Sequence, residues 1–103
     1  MDPQRILTPD EAADALVGTA FTHVGARLEG AYRTADFASA VRLLDAVAVV
    51  ADEVDHHPDV RVAWGAIAFE LSSHDAGGVT SRDLELARRI QALAEAQGAR
   101  PHD

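Results

Sequence analysis

Apolar residues along this chain recur at two different steps, and the changes of step predict the order of its elements. Thr8-Pro9-Asp10-Glu11 reads as a helix start, with Thr8 as N-cap, Pro9 at the first helical position, Glu11 completing a capping box and Leu7 as a staple. A short helix over about residues 9–16 follows, and Gly18 stops it. The segment FTHVGARLEGAYR, residues 21–33, offers two extended pieces around Gly25-Ala26, which suits a hairpin with glycine first in the turn; Gly30 weakens its second strand. From about residue 35 to residue 56 the step changes to three and four. Phe37, Val41, Leu44, Val47, Ala48, Ala51 and Val54 form a stripe flanked by Leu43 and Val50, which predicts a long amphipathic helix capped by Thr34. It has to end near DHHP, because the residue before a proline is pushed out of the helical region.

The step returns to two in VRVAWGAIAFEL. With Gly65-Ala66 as a two-residue turn, Trp64 faces Ile67, Val62 faces Phe69 and Val60 faces Leu71 on one side of a hairpin, while Arg61 faces Glu70 and Ala63 faces Ala68 on the other. A loop, SSHDAGG, leads to Thr80 and Asp83, spaced as a second capping box. A last helix over about residues 81–96 carries the stripe Leu86, Ile90, Leu93 and Ala94, with Leu84 beside it and Gly98 at its end. The order helix, two strands, helix, two strands, helix implies an α+β fold: one four-stranded antiparallel sheet with helices packed on its apolar face, formed by residues 1–103 as a single domain.

Charge narrows the function classes. The chain has a net charge of -8, with 17 acidic residues against 9 basic ones, all arginine. Such a surface repels phosphate, so nucleic acid is not an expected partner. The absence of lysine excludes a lysine Schiff base and a P-loop, and the absence of cysteine excludes thiolate chemistry. The longest aliphatic run, AVAVVA, is far below the ~20 residues a membrane span needs, and the polar amino terminus is unlike a secretory signal, so a cytoplasmic protein with no membrane partner is expected.

Five histidines remain as the acid-base groups. His56 and His57 leave the end of the long helix and His74 leaves the end of the last strand, so three imidazoles on element ends can converge. A metal site from His56, His57, His74 and Asp75 is conceivable, although neighbouring residues seldom aim both rings at one ion. Asp52 lies one helical turn before His56, where i,i+4 spacing lets its carboxylate orient that ring. Trp64 reads as core or interface packing or as a pocket wall, and Asp83 as a helix cap before a catalytic group.

The spacing of Asp52, His56, His57, Pro58, Trp64, His74 and Asp83 closely resembles the signature of the pterin-4a-carbinolamine dehydratase family, and the likeness extends through DFASAV and GGVTSRDLELA. The chain departs from the family where Phe21 stands for a usual tryptophan and Thr34 for a usual aromatic. The resemblance implies a four-stranded antiparallel sheet with helices on one side. It also implies dehydration of a 4a-hydroxytetrahydropterin to quinonoid dihydropterin in pterin recycling, with no metal and no cofactor. It assigns His56 and His74 as acid and base. His57 is implied to bind and orient the pterin, with Asp52, Pro58, Trp64, Ser73 and Asp83 around it. A homodimer or homotetramer is the implied assembly. Two alternatives are a catalytically silent binding or dimerisation module and a relative acting on a different pterin-like compound.

Overall fold

Thr8 caps the first helix as the sequence predicts. In this computed structural model, which describes residue 2 and residues 4–102, helix α1 spans Pro9–Ala15, the Thr8 hydroxyl accepts the Glu11 N–H at 3.2 Å and the Glu11 carboxylate accepts the Thr8 N–H at 2.9 Å. Arg5 clamps the same carboxylate with two hydrogen bonds, the shorter 2.6 Å. The Arg5 guanidinium, helped by the Thr8 N–H, holds the Glu11 carboxyl at about 2, against an ordinary 4.5. Between those values the unfolded chain binds the proton that the folded one refuses. The contribution is therefore complete above about pH 4.5 and is lost as pH falls toward about 2. In Glu11→Gln this part of the acid limb of stability is expected to vanish, read from urea midpoints across that pH window; parallel acid limbs in both proteins would remove the Arg5–Glu11 pair as its cause.

Strands β1 (Phe21–Val24) and β2 (Arg27–Arg33) form the first hairpin around Gly25-Ala26, with positive φ at Gly25. Phe21 pairs with Gly30, and a Cβ on Gly30 would lie 2.7 Å from the Phe21 ring, so the glycine that weakens the strand makes room for that side chain. Phe21 packs against Tyr32 and Phe69 at centroid distances of 6.2 and 6.4 Å, and this aromatic group is buried.

Helix α2 spans Phe37–Val54. Its cap is Asp36, not Thr34: the Asp36 carboxylate accepts the Ser39 N–H at 2.8 Å, while the Thr34 hydroxyl donates to the Asp36 carbonyl. Its buried face is Ala40, Leu43, Val47, Val50 and Ala51, so the predicted stripe is rotated and Phe37 and Ala48 face solvent. A helix this rich in apolar residues offers two overlapping stripes, and contact with the sheet and the last helix selects between them.

Strands β3 (Asp59–Ala63) and β4 (Ala66–Leu71) form the second hairpin with Trp64-Gly65, not Gly65-Ala66, at the turn. Ala63 therefore faces Ala66, Val62 faces Ile67 and Val60 faces Phe69. The slip is two residues, so the paired strand residues keep their predicted faces, while Trp64 leaves its predicted place opposite Ile67 for the turn, where it is exposed. At this turn the Thr34 N–H donates to the Gly65 carbonyl at 2.9 Å, and Gly65 supplies the positive φ. Helix α3 spans Ser81–Ala96 as predicted. Residues Arg100–Pro101 add a short strand, β5, beside Tyr32 and Arg33, which makes the antiparallel sheet five-stranded with the order β1-β2-β4-β3 and β5 on β2. Two residues carry no periodic pattern, so β5 is not legible in the sequence. The helices cover the face of Phe21, Leu28, Tyr32, Ile67, Phe69 and Leu71, and the whole is α+β.

Candidate active site

The last turn of α2 decides where two adjacent histidines go. Asp55 adopts a left-handed conformation with φ 52, its N–H bonds back to the Asp52 carbonyl at 3.4 Å, and the His56 N–H bonds to the Ala51 carbonyl at 3.1 Å. That pair of bonds reverses the chain sharply, with aspartate in the position glycine usually fills. Pro58 then commits the backbone to an extended path into β3. The two rings part: the His56 side chain is 11% exposed beside the start of α3, and the His57 side chain is 56% exposed.

His56 meets Asp83, whose carboxylate Oδ1 lies 2.6 Å from the ring Nε2. Asp83 is the third residue of α3, and its Oδ2 accepts the Thr80 N–H at 2.9 Å, which completes the second predicted capping box around Thr80. The same oxygen accepts the Ser73 hydroxyl at 2.8 Å, and the Ser73 and Thr80 hydroxyls lie 2.8 Å apart. Ser73, Thr80 and Asp83 have no exposed surface. Among the described residues no buried side-chain nitrogen or oxygen lacks a partner, so this polar pocket within an apolar core is fully satisfied.

His57 takes the other carboxylate, its Nε2 lying 2.9 Å from Asp52 Oδ1 with both groups exposed. Asp52 thus serves His57 and not His56. The i,i+4 geometry that favours Asp52 with His56 ends with the helix at Val54, and the left-handed Asp55 swings His56 away.

His74 sits in the turn that follows β4. The Ser73 N–H donates to the Gly78 carbonyl at 3.0 Å and the Ser73 carbonyl accepts the Ala76 and Gly77 N–H groups, which closes the turn on itself. Arg82 ties the turn to α3 through a 2.7 Å bond to Asp75, and that guanidinium lowers the Asp75 carboxyl below its ordinary range. His74 is exposed and lines a cleft of about 290 Å³ with Arg27, Asp59, Glu70 and Ser72, at the lower limit of the ~300–1,000 Å³ usual for ligand clefts. Asp59 follows Pro58 directly and pairs with Glu70 across the hairpin, so all three histidines leave the same end of β3 and β4.

Ser73 is buried behind His56 as a partner of Asp83 and does not face the cleft. Trp64 is 76% exposed in the turn at the opposite end of the hairpin from the histidines. Among the described residues no group of three histidine, aspartate or glutamate side chains comes together as a metal site. Sequence reasoning missed Arg27, Arg82 and the hydroxyl of Thr80 as neighbours of the site. The spacing of Thr80 and Asp83 announced a cap and carried no signal of what else the carboxylate would hold.

The sequence profile described as pterin 4 alpha carbinolamine dehydratase matches residues 5–93. A protein of Nocardia farcinica, provisionally named a pterin-4-alpha-carbinolamine dehydratase, is 38% identical over 90 residues, which cover 86% of this chain and 95% of the relative. A similarly named protein of Gloeobacter violaceus is 37% identical over 89 residues, 82% of this chain and 97% of the relative. Among solved structures, a Brucella melitensis protein described as a transcriptional coactivator/pterin dehydratase superposes with a TM-score of 0.81 at 28% identity, over 87% of this chain and 99% of that one. A pterin dehydratase-like protein described as a RuBisCO assembly factor in the α-carboxysome gives 0.63 at 21% identity, over 75% and 92%, a likeness of fold alone.

Proposed function

The chain belongs to the pterin 4 alpha carbinolamine dehydratase family, and on that premise we propose that it is a metal-independent hydro-lyase turning a 4a-hydroxytetrahydropterin into quinonoid dihydropterin and water. The observation that carries this reading is His56 held at 2.6 Å by a buried carboxylate, at the end of the hairpin from which His57 and His74 also emerge. In the reaction a proton is delivered to the 4a-oxygen, the C4a–O bond breaks with loss of water, and the N5 proton leaves as its bonding pair forms the C4a=N5 double bond. Two groups able to give and take protons near neutral pH meet that need, and His56 and His74 fill the roles. The pterin lies against the cleft lined by His74 and Asp59, oriented by His57, whose ring is steadied by Asp52. A homodimer or homotetramer in the cytoplasm belongs to the same reading. Its support is the exposed apolar surface of Phe37 and Val49 on α2, 51% and 59% exposed.

The decay of a chemically generated 4a-hydroxytetrahydropterin is expected to accelerate when the protein is added, and a rate equal to that in buffer sinks the reading. The description of the Brucella melitensis protein as a coactivator favours a second reading, a binding module with silent histidines. Silent catalysis together with a stable heterologous partner on purification would decide for it.

A further inference from the structure

We propose that Ser73 and Thr80 are positioning residues that fix the proton on Nε2 of His56, so that Nδ1 is the atom through which His56 exchanges a proton with its substrate. The second half of this inference rests on the dehydratase reading; the first half stands on hydrogen-bond geometry alone.

The inference comes from following each hydrogen through the buried network. A backbone N–H can only donate, so the Thr80 N–H at 2.9 Å occupies one acceptor position of Asp83 Oδ2. The Ser73 hydroxyl has a single proton and gives it to the same oxygen at 2.8 Å. Its own oxygen is then left to accept, and the 2.8 Å contact between the two hydroxyls must run from Thr80 to Ser73. Thr80 Oγ1 in turn accepts the Arg82 backbone N–H at 3.3 Å and the Arg82 Nε–H at 3.4 Å. Every hydrogen in the chain points toward Asp83. An ionised carboxylate so supplied can only accept at its other oxygen, where His56 Nε2 lies 2.6 Å away, so Nε2 carries hydrogen in the neutral and in the charged ring alike.

Only Nδ1 then changes its protonation. A neutral His56 offers its lone pair there, and a protonated His56 offers its N–H there. An Asp83 protonated on Oδ1 would reverse the last bond and put the hydrogen of a neutral ring on Nδ1, with Nε2 as acceptor. The two arrangements differ in an observable way. Neither Ser73 nor Thr80 touches substrate in this scheme, since both lack exposed surface and act through Asp83.

The test is long-range ¹H–¹⁵N correlation of the histidine rings in the labelled full chain, at a pH where His56 is neutral. Wild-type His56 is expected to show a pyrrole-type Nε2 and a pyridine-type Nδ1. A neutral ring with its hydrogen on Nδ1 overturns the inference, whatever the activity. Ser73→Ala is expected to mix the two tautomers and to lower kcat about tenfold with KM unchanged. A folded Ser73→Ala with the wild-type ring signature and kcat overturns the positioning role. Thr80→Val is expected to mix the tautomers as Ser73→Ala does, whereas Thr80→Ser keeps the hydroxyl and with it the Nε2–H form. Wild-type protein with the expected tautomer and no dehydratase activity supports the hydrogen-bond assignment and removes the dehydratase reading instead.

Discussion

His56→Ala is expected to slow dehydration of 4a-hydroxytetrahydropterin by about 10²-fold or more, and His74→Ala to do the same. The step requires a proton delivered to oxygen and a proton taken from nitrogen. The chain contains no lysine or cysteine that could substitute for a missing imidazole. Loss of either ring leaves water to do its work at a site where water is a poor acid and a poor base. The expected loss falls on kcat, because the groups act while bonds change. Combining the two substitutions is expected to add little to the worse single one, as groups serving one step are not additive. His57→Ala should separate from both: its ring is exposed and paired with an exposed carboxylate, so a rise in KM with a smaller change in kcat is expected. Steady-state kinetics on the three variants check this, and wild-type kcat in both His56→Ala and His74→Ala removes their assigned roles.

Asp83→Ala is expected to be the most destabilising change at the site. One carboxylate caps α3, receives the Ser73 hydroxyl and holds His56. Truncating it leaves three donors facing a void, with Ser73 and Thr80 fully buried. Removing one partner of a buried charged network costs about 3–5 kcal/mol. At about 4–8 °C per kcal/mol for a domain of this size, Tm should fall by more than about 10 °C. Asp83→Asn keeps the shape and one acceptor oxygen, so it should recover much of the lost stability. Thermal melts followed by circular dichroism check both, and an Asp83→Ala melt within about 3 °C of wild type would show that the carboxylate is not the keystone of this corner.

The elements with the strongest local signals were the ones legible in the sequence. Both capping boxes form as read, the Gly25-Ala26 hairpin forms in its expected register, and α3 has its expected limits. Those features depend on residues a few positions apart, where geometry follows from bond lengths and a handful of dihedral angles. The second hairpin shows where that logic ends. Alternation assigns Val60, Val62, Ile67, Phe69 and Leu71 to one face whichever of two turns is used, because the turns differ by a register slip of two. Choosing between them took the pairing of β4 with β2 and the bond from Thr34 to Gly65, both made with the first half of the chain. The buried face of α2 was open for a similar reason, since apolar residues lie almost all the way round it.

The site divides along the same line. The sequence by itself determined which residues stand at the ends of elements: Asp52 in the last turns of α2, His56 and His57 before Pro58, His74 after β4 and Asp83 in the first turn of α3. Only the tertiary structure decided which carboxylate meets which imidazole. Local helical spacing favours Asp52 with His56, but the left-handed Asp55 turns the chain out of the helix, and packing of α2 beside α3 brings His56 to a partner 27 residues away. A contact across that distance is set by how three packed elements exclude water together, and no local spacing rule contains that information.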